Sequence, residues 1–357
     1  MELFHAANQW ATRPDDENFD SLEDMYAATK AYADAARTKT VPFSDLRAEA
    51  REGDLALVGR ANLPARFTNF AFRQLSQRAG APAGYLQTLP ATLAAQNLNY
   101  GLKRHEGDAQ LLFHRNGELV LRAATSTKYE RVWNYEVIGR LGNFSARHGL
   151  VPAQQTFSWT GGEVPEDAQK ALYASDHDMF AFMMTPDRTI VDPTGNTLRR
   201  GVIVQNSEVG AGSLKFMGFL FRDVCANHII WGAQELAEVR LNHVGEIRDR
   251  MRGAWVEVRK YMDGAASIDE ATMAKTRVHI AGTKDEVLDK LFGVRTLRLS
   301  RKVLTASYDA VVPDEDGDPR SVWGMAQGIT RHSQTLPYTE ERHELDRAAG
   351  RLLEAAF

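Results

Sequence analysis

The amino-acid sequence predicts an α+β fold, with a mostly antiparallel sheet core built from hairpins, N-terminal helices before it and a helical C-terminal part after it. Two turns between β-type runs predict the hairpins. One is Asn116-Gly117, a pair typical of tight hairpins, and the other is the glycine-bearing segment 210–213. After residue 232 the apolar residues recur at helical spacing.

The composition is that of an ordinary globular protein, with 43% hydrophobic and 25% charged residues among 357. The formal net charge of −4 gives no sign of a strongly basic nucleic-acid binder, although a basic groove depends on where the charges lie. Cys225 is the only cysteine, which excludes an intrachain disulfide. There is no signal pattern and no apolar run near the ~20 residues that span a bilayer, so we expect a soluble intracellular protein without a membrane partner.

We expect residues 1–20 to form a loose N-terminal arm and residues 21–107 to form a mostly helical N-terminal part. Ser21 followed by Asp24 is a helix-capping pattern, and Gly80 is typical of a helix end. The predicted elements of this part are helices at 22–37, 44–51, 69–78 and 91–98 and a strand at 54–58.

Residues 108–232 are predicted to form the strand-rich core. The strand after the turn 210–213 is apolar on both faces, so we expect it to be buried on both sides. One face carries Leu214, Phe216 and Leu220, and the other carries Met217, Phe219 and Phe221. The predicted elements are a hairpin over 110–123, a helix over 134–145, strands at 155–160, 171–173 and 179–184, and a hairpin over 201–222.

The helical C-terminal part is predicted to span residues 233–357, and all four parts could form one continuous domain. Thr283 and Glu286 have the spacing of a capping box. In the acidic segment 313–319, Gly317 stands at the wrong position for a calcium-binding EF-hand, so we interpret the segment as a solvated loop. The predicted helices are 233–263, 283–292, 296–308, 321–333 and 339–355.

Motifs that identify several enzyme classes are absent from the sequence. It has no phosphate-binding P-loop, no dinucleotide-binding fingerprint, no cysteine cluster for zinc and no nucleophile elbow. We therefore expect no cofactor, and we assign no residue a catalytic role.

Asp176 and Asp178 are the candidates for metal binding, because on an extended chain the two carboxylates share one face. Two carboxylates alone are a poor metal site, so a solvent-exposed entry to the strand at 179 is the preferred interpretation. The thiol of Cys225 is expected to be buried. His228 could be a base, a ligand contact or a core histidine.

A basic and aromatic stretch after the first hairpin indicates a nucleic-acid groove. It contains Arg122, Lys128, Tyr129, Arg131 and Trp133. Single strands are held by basic grooves with aromatic faces for base stacking, although the same residues could pack as a core with solvated ends. Further basic residues recur along two predicted helices, at positions 248, 252 and 259 and at positions 295, 298, 301 and 302.

Three motifs resemble the DUF932 family of phage and plasmid proteins, whose function is unknown. The first comprises Leu119-Val120-Leu121-Arg122-Ala123, Ser126-Thr127-Lys128-Tyr129 and Asn134-Tyr135-Glu136. The second is Asn206-Ser207-Glu208-Val209-Gly210, and the third is Arg222-Asp223-Val224-Cys225-Ala226-Asn227. Ser175-Asp176 with Phe180 also fits, and the resemblance covers residues 45–335. It implies a role in mobile-element DNA metabolism or defence evasion, in the cytoplasm of a bacterial host.

The favoured hypothesis is a non-enzymatic protein that binds or anneals single-stranded DNA in recombination and acts as a homo-oligomer. Arg122, Lys128 and Arg131 would contact phosphates, and Tyr129 would stack on a base. Arg222, Asn227 and His228 would form the far rim of the groove. One alternative is a metal-dependent enzyme acting on a nucleic acid or nucleotide, with Asp176, Asp178 and His228 as its polar centre. Another is an anti-defence or virion-associated interaction protein.

Overall fold

The computed structural model describes residues 17–58, 64–153, 171–222, 227–229, 239–264, 273–274, 276–336 and 339–354. Within these residues the chain forms fourteen strands and eleven α-helices. The strands are β1 (Asn18–Phe19), β2 (Ala36–Pro42), β3 (Arg47–Arg51), β4 (Asp54–Val58), β5 (Pro64–Phe67), β6 (Asp108–Asn116), β7 (Glu118–Ser126), β8 (Val151–Pro152), β9 (Leu172–Ala174), β10 (Met179–Val191), β11 (Thr197–Asn206), β12 (Leu214–Arg222), β13 (Asn227–Ile229) and β14 (Val239–Leu241). The helices are α1 (Leu22–Asp34), α2 (Asn69–Arg78), α3 (Ala83–Thr88), α4 (Ala91–Arg104), α5 (Asn134–His148), α6 (Ile247–Asp263), α7 (Lys284–Gly293), α8 (Arg301–Ala310), α9 (Pro313–Asp316), α10 (Val322–Ser333) and α11 (Thr339–Glu354).

The strands form two sheets, which confirms the predicted α+β class. The large sheet has the order β1-β9-β10-β11-β12-β13, with β8 paired to β10 and β14 paired to β12. All of its pairings are antiparallel. The small sheet has the order β2-β6-β7-β5-β4-β3, and β5 pairs with β7 in parallel.

The central strand β12 is buried on both faces, as predicted. Leu214 and Phe216 pack on the side of α5 and α6. Met217 and Phe219 pack on the other side, against aromatic residues of β9 and β10. Leu220, nearer the end of the strand, joins the core of the C-terminal helices. The side chain of Phe221 lies outside the described residues.

The N-terminal part contains the helices α1 to α4 and also the strands β2 to β5, which belong to the small sheet. The predicted helix over 44–51 is wrong: a short 3-10 turn at Phe43–Asp45 leads into β3, which pairs with β4. The predicted boundary between residues 107 and 108 falls inside this sheet, since β2 pairs with β6. Helices α2 to α4 pack on the sheet through a shared core.

Several other predictions are confirmed or corrected. The hairpins β6–β7 and β11–β12, helix α2, the capping pattern at Ser21 and the capping box at Thr283 are present. Part of the predicted loose arm forms β1, which pairs with β9. Of the predicted helix over 233–263, residues 233–238 lie outside the described residues. The segment Val239–Leu241 forms β14 of the large sheet, and the helix α6 spans Ile247–Asp263. The predicted strand 155–160 and Cys225 lie outside the described residues.

Candidate functional site

Residues from two of the sequence motifs converge on one carboxylate, that of Glu208 in the loop after β11. This side chain is only 2% exposed. Its Oε1 accepts a hydrogen bond from the backbone N–H of Asn134 at 2.8 Å, and its Oε2 accepts one from Arg122 at 3.0 Å. The first N–H groups of a helix have no partner within it, so Glu208 caps α5 from a distant segment.

Arg122, on β7, is 1% exposed and makes its contacts inside the protein. Its Nε donates to the backbone oxygen of Asp176 at 3.1 Å, and its Nη2 donates to the same oxygen. The guanidinium also lies 4.3 Å from the ring centroid of Tyr32. This burial corrects the expectation that Arg122 contacts phosphate, because its guanidinium lies in the core and not in a surface groove.

The side chains of Arg131 and Tyr129 also make their contacts inside the protein. Arg131 is 8% exposed, donates to the backbone oxygen of Glu208 and donates to Gln110 Oε1 at 3.1 Å. Burial lowers the pKa of Arg131 to about 10.

The hydroxyl of Tyr129 donates to the Ser207 carbonyl at 2.7 Å, and its ring stacks on His243 at 4.8 Å. Burial raises the pKa of Tyr129, so the phenol stays protonated. With its ring stacked on His243, Tyr129 follows the packing alternative given above for this stretch. Arg131 differs from that alternative, because its guanidinium is buried and not solvated.

Lys128 is the exposed cation of this stretch. It lies in the turn between β7 and α5, and in the part of the chain that the structure describes its side chain has no ionic or hydrogen-bond partner. Its ammonium group therefore faces solvent and remains available for a phosphate contact.

Arg222, Asn227 and His228 lie at the other end of the large sheet, and their side chains lie outside the described residues. The register pairs Gln205 with Lys215 and Leu198 with Arg222. From Leu198 to Gln205 there are seven steps of ~3.3 Å, so the two ends of this ladder are ~23 Å apart. The predicted far rim is thus separated from the loop of Glu208 by the length of the sheet.

The two candidate metal ligands are engaged within their own loop. Asp178 Oδ1 accepts a hydrogen bond from Ser175 at 2.7 Å, and Asp176 Oδ1 lies 2.7 Å from His177 Nδ1. Among the described residues, no group of three or more His, Cys, Asp or Glu side chains could hold a metal ion. The backbone of His228 pairs with Phe221, at the far end of the sheet from this loop.

A basic groove lies between α5 and α6, with a volume of about 330 Å³. The two helices lie side by side and run in the same direction, as three contacts along them show. Arg248 binds both carboxylate oxygens of Glu136 at 2.9 Å, near the start of each helix. Phe144 contacts Trp255 at a ring distance of 5.3 Å, and His148 Nδ1 lies 3.9 Å from Asp263 Oδ1 near the ends.

Four arginines line this groove, two on each helix: Arg140, Arg147, Arg252 and Arg259. In each helix the two arginines are seven residues apart, which places them two turns apart on one face. Arg252 is paired with Asp249. The other three have no carboxylate partner in the described part of the chain.

Aromatic rings lie between the arginines. Phe144 stacks on His148 at 4.3 Å and lies beside Trp255, and all three side chains line the groove. Trp255 and His148 are half-buried, so part of each ring faces the groove. The indole N–H of Trp255 is buried without a hydrogen-bond partner among the described residues.

Sequence reasoning named Arg252 and Arg259 as part of a basic helix face but did not identify Arg140 and Arg147. Their seven-residue spacing was visible, yet Arg147 lies beyond the predicted helix end at residue 145. The other predicted basic set, around Arg301, is partly neutralised, because Arg301 pairs with Asp285 and Asp289.

A family model described as "Domain of unknown function (DUF932)" matches residues 140–347, a range that includes α5 from Arg140 onward, the central strands and α6. No curated protein and no solved structure matches the chain. Among the described helices, none combines the length and the apolar character that crossing a membrane requires.

Proposed function

The chain belongs to the DUF932 family, and we propose that it binds single-stranded DNA in the groove between α5 and α6. The observation that carries this proposal is the set of four arginines, two on each helix, that line the groove together with aromatic rings. The planar guanidinium group of arginine donates parallel hydrogen bonds to phosphate oxygens, and aromatic rings stack on bases.

The arginines are arranged to follow a sugar–phosphate backbone. Two arginines seven residues apart on a helix lie ~10 Å apart along its axis, so each helix offers charge over a short run of nucleotides. The paired helices place such charge on both sides of the groove. Phosphates bound there would displace counterions, which gives a strong dependence of affinity on salt.

The aromatic rings favour a single strand over a duplex. A base can lie on the accessible part of His148 or Trp255 only if it is not stacked within a double helix. Each such contact contributes about 1–3 kcal/mol in single-strand binding proteins. We therefore propose selectivity for unpaired strands.

Lys128 extends the proposed path beyond the groove. The turn that contains it leads to Glu130, whose N–H donates to the His243 carbonyl at 2.8 Å and whose carboxylate accepts from the first N–H of α6. Lys128 therefore lies near the N-terminal ends of the two helices. A strand that leaves the groove in that direction would meet its ammonium group.

The biological setting is part of the same proposal. We place the protein in the DNA metabolism of phages or plasmids, in the bacterial cytoplasm, as a homo-oligomer that binds or anneals strands during recombination. Sedimentation of the protein with and without a single strand would test the oligomer. A monomer under both conditions would contradict it.

Neither alternative function gains a supporting observation. The proposed metal centre would need Asp176 and Asp178 near His228, yet the sheet register separates their backbones by ~23 Å. An interaction protein is expected to show a large exposed apolar patch, whereas the exposed large apolar side chains of the described residues lie on many different elements.

Fluorescence anisotropy with a labelled single strand of ~40 nucleotides tests the proposal. Unlabelled single-stranded DNA should displace the probe, whereas duplex DNA of the same sequence should displace it poorly, because its bases are stacked. RNA of that sequence is a further competitor that separates a DNA preference from a preference for any single strand. Equal competition by duplex would contradict the proposed selectivity.

A further inference from the structure

The α5 wall of the groove carries an amide between two of its arginines. Asn143 follows Arg140 by three residues and precedes Arg147 by four, so all three side chains lie on one face of the helix. The amide is ~5 Å along the helix axis from each arginine. It is exposed, and its side chain makes no hydrogen bond within the described chain. Its oxygen and its N–H groups are therefore available to a ligand that the arginines hold.

The α6 wall repeats this arrangement with an apolar side chain at the middle position. Val256 follows Arg252 by four residues and precedes Arg259 by three. The valine is 43% exposed, so much of its isopropyl group faces the groove. One wall therefore offers hydrogen bonds, and the other offers an apolar contact.

Aromatic rings form the floor between the two walls. Phe144 directly follows Asn143 in α5. Trp255 directly precedes Val256 in α6, and the rings of Phe144 and Trp255 lie 5.3 Å apart. A base that stacks on the accessible part of Trp255 would lie flat between the helices, with one edge towards Asn143 and the opposite edge towards Val256.

The volume of the groove sets how much of a strand it can hold. At ~30 Å³ per water molecule, 330 Å³ corresponds to about eleven water molecules, which leaves room for about one nucleotide. The neighbouring phosphates would then lie beside the arginines, and a single base would lie between the two walls.

Thymine is the base whose opposite edges match the two walls. Its Watson–Crick edge carries an N–H donor beside a carbonyl acceptor, which an amide binds through its own oxygen and N–H. Its opposite edge carries the C5-methyl group, for which an apolar side chain is a favourable contact. We propose that the groove binds single strands with a preference for thymine, with Asn143 on the Watson–Crick edge and Val256 against the methyl group.

The other bases match only one of the walls. Uracil has the hydrogen-bonding edge of thymine but lacks the methyl group. Cytosine, adenine and guanine also offer a donor beside an acceptor to an amide, yet none of them has a methyl group to face Val256. Because thymine is a base of DNA and uracil is a base of RNA, the valine favours DNA through the base and not through the sugar. The preference rests on the proposed binding of single strands in this groove.

Competition measured by fluorescence anisotropy tests the preference for thymine. The probe is a labelled oligo-dT of ~15 nucleotides, and unlabelled oligo-dT and oligo-dU of the same length are the competitors. The two competitors share the sugar, the phosphates and the Watson–Crick edge, and they differ only in the methyl group. Loss of one buried methyl contact should make oligo-dU bind about fourfold more weakly than oligo-dT.

Two alanine variants assign this discrimination to the two walls. Val256→Ala removes the apolar contact and should make the affinities for oligo-dT and oligo-dU equal. Asn143→Ala should weaken the binding of both strands alike, by about two- to tenfold, and should leave their ratio unchanged. Alanine is the best helix former, so both variants are expected to fold, and thermal unfolding checks this.

The matched control is Val278→Ala. Val278 is also 43% exposed but does not line the groove, so its variant should keep the ratio of the unmodified protein. A preference for oligo-dT that is lost in Val256→Ala and kept in Val278→Ala would support the assignment.

Equal affinities for oligo-dT and oligo-dU in the unmodified protein would overturn the thymine preference, and so would an unchanged ratio in folded Val256→Ala. Unchanged affinities in folded Asn143→Ala would overturn the contact assigned to the amide. If both strands bind equally and their binding weakens steeply with salt, single-strand binding stands and only the base preference fails. If neither strand binds at low salt, the proposed DNA binding fails and the thymine preference fails with it.

Discussion

Arg122 and Glu208 form an ion pair whose two side chains are almost fully removed from water. Moving two charges into the interior is costly, and the cost is offset here by additional hydrogen bonds from Arg122 to the Asp176 carbonyl and to Glu208 from the start of α5. The pair therefore connects β7, the loop before β10 and the N-terminus of α5, and it fixes their relative positions.

We expect Glu208→Gln to reduce the free energy of unfolding by about 3–5 kcal/mol, because it leaves the Arg122 charge buried and unpaired. The double variant Arg122→Met/Glu208→Leu should be clearly more stable than the summed effects of the single variants Arg122→Met and Glu208→Leu predict. Urea unfolding measures each value.

The control pair for this double-mutant cycle is Arg66 with Glu118, which is exposed on the small sheet. Its removal should change the stability by no more than about 1 kcal/mol. If the effects of the single changes at Arg122 and Glu208 on the free energy of unfolding were strictly additive, the two buried side chains would not stabilise each other.

His243 gives the protein a predicted sensitivity to acid. Its side chain is 4% exposed, its Nδ1 lies 3.1 Å from the Glu130 carbonyl, and burial lowers its pKa from 6.5 to about 4. The unfolded chain therefore binds a proton more readily than the folded protein. The stability that results is complete above the unfolded pKa and is lost as the pH falls towards the folded pKa.

We expect the free energy of unfolding to fall by about 3 kcal/mol from this group between pH 6.5 and about 4. His243→Phe keeps a ring against Tyr129 but cannot titrate, so it should flatten this part of the curve. Urea unfolding across the pH range measures the slope. An unchanged slope in His243→Phe, with the exposed His279→Gln as control, would assign the acid sensitivity to other groups.

At the level of elements, the large sheet depends on close packing across its central strands. Gly201 of β11 lies opposite Phe219 of β12, and a Cβ at this position would lie 2.3 Å from the Phe219 ring and 2.6 Å from the Met183 carbonyl. The absence of a side chain at Gly201 thus makes room for the aromatic ring that fills the second face of the sheet.

We expect Gly201→Ala to destabilise the protein by about 1–3 kcal/mol, because the sheet must move to accept the methyl group. Gly142→Ala is the matched control, since no atom lies within 4 Å of its added Cβ and it stands inside α5. That change should stabilise the helix by about 0.5–1 kcal/mol. Thermal unfolding compares the two, and equal effects would refute the packing argument.

Elements that depend on short-range sequence signals were predicted correctly. Elements that depend on pairing between distant segments were harder to predict. The capping box at Thr283 and the Asn116-Gly117 turn act over a few residues, so the sequence reveals them. β3 was mistaken for a helix because its strand conformation depends on its place in the small sheet. That sheet is assembled through pairing between distant segments, such as the parallel pairing of Arg66 with Val120.

The candidate site shows the same difference between short-range and long-range signals. The helical spacing of Arg252 and Arg259 could be recognised in the sequence, whereas the packing of α5 beside α6 could not. Arg122 was expected at the surface because its partner Glu208 is 86 residues away, and no local pattern shows that pairing. The pattern of basic residues beside aromatic residues therefore does not show which of these side chains are exposed, because their burial is decided by tertiary contacts.

For the whole molecule, the distribution of charge matters more than its total. The chain has a net charge of −4, yet four arginines gather in one groove. Outside the groove the charge of the protein is negative in sum, so that part of the surface would repel nucleic acid and direct a strand to the groove.

The most direct test of the central claim is the salt dependence of single-strand binding by Arg147→Ala/Arg259→Ala. For single strands, log K changes with log salt by ~0.7 per phosphate contact, so loss of two contacts should reduce the slope by ~1.4. Affinity at low salt should fall by at least about tenfold.

The matched control is Lys39→Ala/Lys302→Ala, which removes two exposed lysines from β2 and α8 and should retain the slope and affinity of the unmodified protein. Anisotropy titrations at two salt concentrations give both quantities. A reduced slope in the arginine variant alone would support DNA binding in the groove between α5 and α6. An unchanged slope and affinity in that variant would contradict it.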